Sequence, residues 1–228
     1  MNKPLKHRRI GVVVIGQSPR PSIAAEITTV LSPGIGIDLR GALDGMSRAE
    51  IDAIKPTDGA DSLFTLLPGG DSVVISKKEV ERRAAVQLAR FRQEGIFVTM
   101  LACTGKFPHL APEGLVILPS AVLHRLVEAV LPRGRLGVFS PLPEQTALIA
   151  NKWQRDGVEV VGVTLRPGSD DATVDEAART MAELAPDLVV MDCMSYSSTN
   201  TARLRLRYAG PVILAIAAAA RVLEELVS

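Results

Sequence analysis

"RRIGVVVIGQSPRPSIAAEI", residues 8–27, runs from a β-branched apolar stretch through a polar loop with two prolines into a helix-like segment. That succession is a βα unit. The same succession restarts at "GRLGVFSPLPEQTALIAN", residues 134–151. Outward from these two openings, strands are predicted at 10–16, 34–40, 95–103, 114–119, 135–140, 158–164, 187–193 and 211–214. A hairpin is predicted over 62–76, turning at Pro68-Gly69-Gly70-Asp71. Helices are predicted near 20–31, 77–94, 120–131, 143–156, 173–185 and 199–208, with another closing the chain. Strands alternating with helices mean βαβ units on mainly parallel sheets. From each opening the chain reaches a strand that ends in its own single cysteine, Cys103 in "VTMLACTGKFP" (98–108) and Cys193 in "LVVMDCMSYSS" (188–198). The expectation is an α/β protein of two pseudo-symmetric three-layer αβα lobes, 1–118 and 119–228, with the C-terminal helix free to pack across them.

Composition excludes several classes. The 228 residues are 47% hydrophobic and 22% charged, enough to bury a sizeable core. Twenty-six basic against twenty-five acidic residues leave a net charge of +1, so no nucleic-acid partner is indicated. The opening "MNKPLKHRRIGVVVIG" imitates a signal peptide, but its apolar part is short and meets Gln17 and Ser18, which reads as a first strand. No run approaches the roughly 20 apolar residues of a membrane span, since charge interrupts "PVILAIAAAARVLEELV" (211–227). A soluble, cytoplasmic protein is expected. Two cysteines are no disulfide framework, and His7, His109 and His124 give no metal-ligand spacing with them. No cofactor is expected either: no G-x-G-x-x-G follows the first strand, and the glycines of "GIGIDLRG" (34–41) precede a strand.

In parallel α/β units, ligands bind beyond the carboxyl ends of strands, where loops and helix N-termini present free N–H groups. Both cysteines and the loops at Gln17-Ser18 and Ser140-Pro141 belong to that edge, and two facing halves would bring all four to one cleft. A helix N-terminus lowers a thiol pKa. Two such thiols on opposite walls allow one to take a proton from a carbon while the other returns one to the opposite face, which is racemisation without a cofactor. Sulfurs that each approach one carbon at ~3–3.5 Å stand about 7 Å apart. The competing reading is that each cysteine is a small buried hydrophobe.

"VIGQSPRP" (14–21), "DLRGALDGMS" (38–47), "LACTGKFP" (101–108) and "MDCMSY" (191–196), in this order and over nearly the whole chain, resemble the AroM family. That family is similar in turn to the aspartate/glutamate/hydantoin racemase superfamily. The resemblance implies two pseudo-symmetric α/β halves and places Cys103 and Cys193 on either side of a substrate. It does not supply a reaction, because the AroM family carries no settled activity. The amino-acid racemases typically read Cys-Thr-His at the second cysteine, whereas this chain has Cys193-Met194-Ser195. Asp192 does not replace the missing groups, since neighbouring strand residues point to opposite faces. A related isomerase, lyase or decarboxylase acting on another small carboxylic acid fits better than an amino-acid racemase.

The substrate-binding candidates follow from side-chain chemistry. Gln17 and Ser18 offer hydrogen-bond donors, and Arg20 a bidentate carboxylate anchor. Ser18 fits equally well as the cap of a helix opened by proline. Arg40 is a second candidate anchor, with a solvated arginine as its alternative. Thr104 and Gly105 offer a hydroxyl and an N–H after Cys103. Ser140, Met194, Ser195 and Tyr196 complete the set from the second half. Ser47 and Glu50 form a capping box, "KKEVERR" (77–83) is a solvated helix face, and Arg203 with Arg207 reads as surface. His109 sits in a turn-rich loop, and Trp153 packs its helix on the sheet. Two functions remain: a cofactor-independent racemase- or isomerase-like enzyme using Cys103 and Cys193, or a non-catalytic protein that binds or senses a small carboxylate or phosphate. A homodimer is compatible with either; neither calls for a membrane partner.

Overall fold

Side chains alternate along a strand, and in the first strand Ile10, Val12 and Val14 join one apolar core while Val13 joins another on the opposite face. The computed structural model describes residues 9–228. The basic segment 1–8, with His7, lies outside the described residues.

The first half runs β1 (Arg9–Val14), α1 (Pro21–Thr28), β2 (Gly36–Gly41), α2 (Arg48–Ala53), β3 (Ser62–Leu66), β4 (Ser72–Ser76), α3 (Lys77–Gln93), β5 (Val98–Ala102), β6 (Leu115–Ile117) and α4 (Pro119–Val130). The second runs β7 (Gly134–Ser140), α5 (Pro143–Ala147), α6 (Ile149–Trp153), β8 (Val158–Thr164), α7 (Asp171–Glu183), β9 (Leu188–Met191), α8 (Ser198–Leu204), β10 (Val212–Leu214) and α9 (Ala215–Val227). Two four-stranded sheets are wholly parallel, ordered β2-β1-β5-β6 and β8-β7-β9-β10. Once the β3–β4 hairpin is set aside as an insertion, the two orders are the same: second, first, third, fourth. The expected two-sheet αβα architecture is therefore present, with each cysteine placed just after its half's third strand.

The repeat extends to packing. Gly11 and Gly137 hold the same place in "RIGV" and "RLGV". A Cβ on Gly11 would lie 2.7 Å from the Phe91 ring of α3, and one on Gly137 2.5 Å from the Met181 sulfur of α7. Each glycine lets the helix that precedes the third strand seat a large side chain directly on the sheet. Full burial of a side chain such as Phe91 is worth about 1.5–3 kcal/mol. The halves also share material. α9 packs on α1, α4, β5 and β6, so the last helix covers the first sheet.

Some boundaries differ from the sequence reading. α1 starts at Pro21, with Arg20 in the cap position and no side-chain cap. Ser18 is not the cap; its amide and hydroxyl both donate to Asp44. The single helix expected over 143–156 is two short helices joined at Leu148. The Ser47–Glu50 capping box does start a helix, α2. The hairpin turns where expected, with Leu67 N–H donating to the Asp71 carbonyl. Among the described residues no helix is long and apolar enough to cross a membrane.

Candidate active site

In each sheet the chain order reverses between the first and third strands, and the loops leaving those strands diverge there. Four such loops meet at one cavity of about 330 Å³: Val14–Arg20 after β1, Cys103–Lys106 after β5, Ser140-Pro141 after β7 and Asp192–Ser195 after β9. Inserted β3 supplies another wall through Leu63 and Thr65.

Cys103 and Cys193 both line this cavity, at 8% and 9% exposure. The Gly105 amide donates to Cys103 Sγ at 3.3 Å, and the Ser195 amide, two residues past Cys193, favours that thiolate. The expectation of lowered thiol pKa values is overturned. Burial pushes Cys103 from its ordinary 9.0 up to about 12, against the pull of the Gly105 amide. Burial likewise pushes Cys193 up to about 11, and the Ser195 amide and hydroxyl and the Arg20 charge pull back. The physical reason is that no helix starts directly behind either sulfur. Residues after Cys103 lead to β6, and α8 begins only at Ser198, its first turn capped by Ser197 and Asn200. Desolvation is then the larger effect.

Arg20 is 6% exposed and enters the cavity from the β1 loop. Its guanidinium donates to the Leu66 carbonyl at 2.9 Å and to the Thr65 and Ser195 hydroxyls at 3.4 Å each. It has no acidic partner among the described residues. Burial lowers its pKa, with Cys193 acting in the other direction. A buried cation with spare donors and no counter-ion is a receptor for an anion.

The Thr104 hydroxyl is spent within the protein, donating to the Asp192 carbonyl at 3.0 Å. Lys152, from α6, completes the crossing: its ammonium donates to the Thr104 carbonyl at 2.8 Å and to both Asp192 carboxylate oxygens at 2.7 and 2.6 Å. The Trp153 indole N–H donates to the same carboxylate at 2.9 Å. This brace ties the residue after Cys103 to the residue before Cys193. Neither Lys152 nor Asp192 was singled out for a role from the sequence. The available signal was an acid closing an apolar strand and a lysine beside the only tryptophan. Trp153 is buried and stacks on His124 at 4.3 Å, whose pKa burial pushes down to about 4.

Of the remaining candidates, Gly105, Ser140, Met194 and Ser195 line the cavity. The Ser140 hydroxyl pairs with Thr146 at 2.5 Å. Gln17, Ser18, Arg40 and Tyr196 do not line it. The Gln17 amide donates to the Leu43 and Met46 carbonyls. Ser18 is held by Asp44 as described. The Tyr196 hydroxyl is buried and donates to the Leu165 carbonyl at 2.5 Å. Arg40 lies in β2, forked onto Glu94 and Asp38 and stacked over Phe91 at 4.2 Å. Each is satisfied by its own half. Among the described residues no three His, Cys, Asp or Glu side chains form a metal-binding group.

The AroM protein model matches residues 10–227. Comparison with curated proteins returned no match. Among solved structures, the chain is similar to allantoin racemase from Klebsiella pneumoniae, with TM-score 0.64, 21% identity, and 96% of this chain and 87% of that one covered. It is also similar to glutamate racemase from Bacillus anthracis, with TM-score 0.64, 16% identity and 97% and 82% covered. A third is the maleate isomerase from Pseudomonas putida, with TM-score 0.63, 16% identity and 97% and 93% covered. These likenesses establish the aspartate/glutamate racemase-like fold.

Proposed function

The chain belongs to the AroM family, and from that premise we propose that it is a cofactor-independent isomerase of the racemase type, acting on a small carboxylic acid between Cys103 and Cys193. The observation that carries the reading is the cavity itself, which brings both thiols together beside Arg20, a buried cation with no acidic partner among the described residues. Arg20 and the Ser195 hydroxyl hold the carboxylate, and the carbon next to it lies between the sulfurs.

Cys193 serves as the base. Arg20 and the Ser195 amide favour its thiolate, and its pKa is the lower of the two. The Cys193 thiolate takes the proton from the α-carbon and the electron pair passes into the carboxylate as an enediolate, which Arg20 stabilises. The Cys103 thiol then delivers its proton to the opposite face. The carbon is inverted, and the two sulfurs have exchanged thiol and thiolate states. Gly105 N–H, already on Cys103 Sγ, stabilises the new thiolate. A decarboxylase would use the same Cys103 donor after loss of carbon dioxide. That the solved structures with this fold include a racemase, an isomerase and, by name, an arylmalonate decarboxylase is consistent with this range.

The second reading, a non-catalytic carboxylate-binding protein, is favoured by one observation, the burial of both sulfurs, which disfavours either thiolate. Deuterium exchange separates the two. Chiral 2-aryl and 2-hydroxy carboxylic acids are incubated with the protein in heavy water and followed by NMR. The enzyme reading expects solvent deuterium at the α-carbon of at least one acid, lost in Cys103→Ser and in Cys193→Ser. Binding of an acid that protects the thiols from alkylation but never exchanges its α-hydrogen would replace the enzyme with the binding protein.

A further inference from the structure

Arg20 is not the only cation at the cavity without an acid. Lys77 and Lys106 also line it, and neither forms an ion pair among the described residues. The Lys77 ammonium donates to the Ala60 carbonyl at 2.6 Å, and that of Lys106 reaches the Lys152 carbonyl at 3.5 Å. Glu79, the acid nearest Lys77 in the chain, pairs with Arg82 and Arg83, and Asp61, beside the Ala60 that Lys77 holds, turns its carboxylate to the Thr57 and Lys78 amides. The two carbonyls belong to one rim, because Leu148 of the α5–α6 junction packs beside Gly59. Lys152 is the one cavity lysine matched by an acid, Asp192.

Strand β3 gives the spacing. Lys77 grips the chain just before β3 begins, and Arg20 grips Leu66 at its end. At ~3.3 Å per residue, the four steps from Ser62 to Leu66 span about 13 Å, and the carbonyl that Lys77 holds lies two residues further back, at Ala60. Allowing about 3 Å for each charge-assisted contact leaves at least about 7 Å between two anionic groups. The wall between the ends is apolar, with Leu63, Ile15, Leu148 and Ile149 facing the space. A cavity of about 330 Å³ lies at the lower end of the ~300–1,000 Å³ range of small-molecule sites.

Taking Arg20 as the carboxylate anchor argued above, we infer that the substrate is an elongated dianion: one carboxylate on Arg20 and Ser195, an apolar or aromatic middle along β3, and a second anionic group at Lys77 and Lys106 on the rim. The second charge selects the substrate and takes no part in the chemistry.

The test uses phenylacetate and para-phenylenediacetate as probes, titrated calorimetrically into the wild-type chain and into Lys77→Ala/Lys106→Ala. The wild type is expected to bind the dianion about fivefold or more tightly than the monoanion, and the ratio falls to about one in the double variant. Equal affinities in the wild type, or a ratio that survives in the double variant, overturn the inference while monoanion binding leaves the Arg20 anchor standing. If neither probe binds or protects the thiols from alkylation, the anchor and the dianion fail together.

Discussion

The loop after β5 and the loop after β9 place the same atom in the same cradle, a strand-end sulfur whose thiolate is favoured by the amide two residues on, but they surround it differently. Cys103 is followed by Thr104, whose hydroxyl and carbonyl are both tied across the interface to Asp192 and Lys152. Cys193 is followed by Met194 and approached instead by Arg20 and Ser195. The two halves therefore share backbone geometry while their neighbours differ, one loop being braced and the other charged. The difference gives the two thiols separate surroundings without changing the strand that carries either.

Breaking the brace should have the largest effect. Asp192→Ala leaves the Lys152 ammonium and the Trp153 indole without their shared acceptor, and removing one partner of a buried pair costs about 3–5 kcal/mol. Urea denaturation reads this directly, and a loss below about 1 kcal/mol would mean the loops hold without the brace. On the charged side, Arg20→Met is expected to weaken carboxylate binding by about 30-fold, roughly 2 kcal/mol, with a much smaller change in stability.

The raised thiol pKa values make stability depend on pH with a definite sign. Unfolded, each thiol ionises near its ordinary 9.0, whereas in the fold Cys103 and Cys193 stay protonated up to about 12 and about 11. The unfolded chain therefore loses protons first, so stability is full below pH 9 and is lost as pH rises towards those folded values. Between about pH 8 and about pH 10, wild type should lose on the order of 2 kcal/mol more than the Cys103→Ser/Cys193→Ser variant. A parallel loss in both proteins would deny the burial effect.

Alkylation sharpens the comparison further. Below both pKa values, Cys193 should react faster than Cys103, and Arg20→Met should narrow the gap. Peptide mass spectrometry after a short iodoacetamide pulse resolves the two sites. The smallest effect is expected at Arg40→Ala, where a partly exposed ion-pair cluster is worth less than about 1 kcal/mol and ligand affinity stays unchanged.

What could be read in advance was whatever a short window encodes. The repeated "R-I/L-G-V" openings, the strand-end cysteines and the Pro68–Asp71 turn are local patterns, and the architecture follows from them. That Arg20 would line the cleft was legible from its loop, which leaves the carboxyl end of β1. Arg40 was not: its end at Glu94 depends on how α3 lies across the sheet. The Lys152–Asp192 pair joins residues 40 positions apart, and its meaning appears only once Thr104 arrives from the other half. Thiol acidity was misread for a related reason, since a helix near in sequence suggested a dipole while burial by distant loops decided the outcome.

The placement of α9 also sets an order of events during synthesis. Residues 215–227 cover α1, α4, β5 and β6, so the first-made sheet waits for α9 before its apolar face is sealed. A chain emerging at roughly 5–20 residues per second leaves that face open for several seconds after β6 is complete. The N-terminal half, although it has its own sheet, exposes that apolar face until α9 has been made. The cysteine cleft, by contrast, has every lining residue in hand once the loop after β9 is made, before α9 begins.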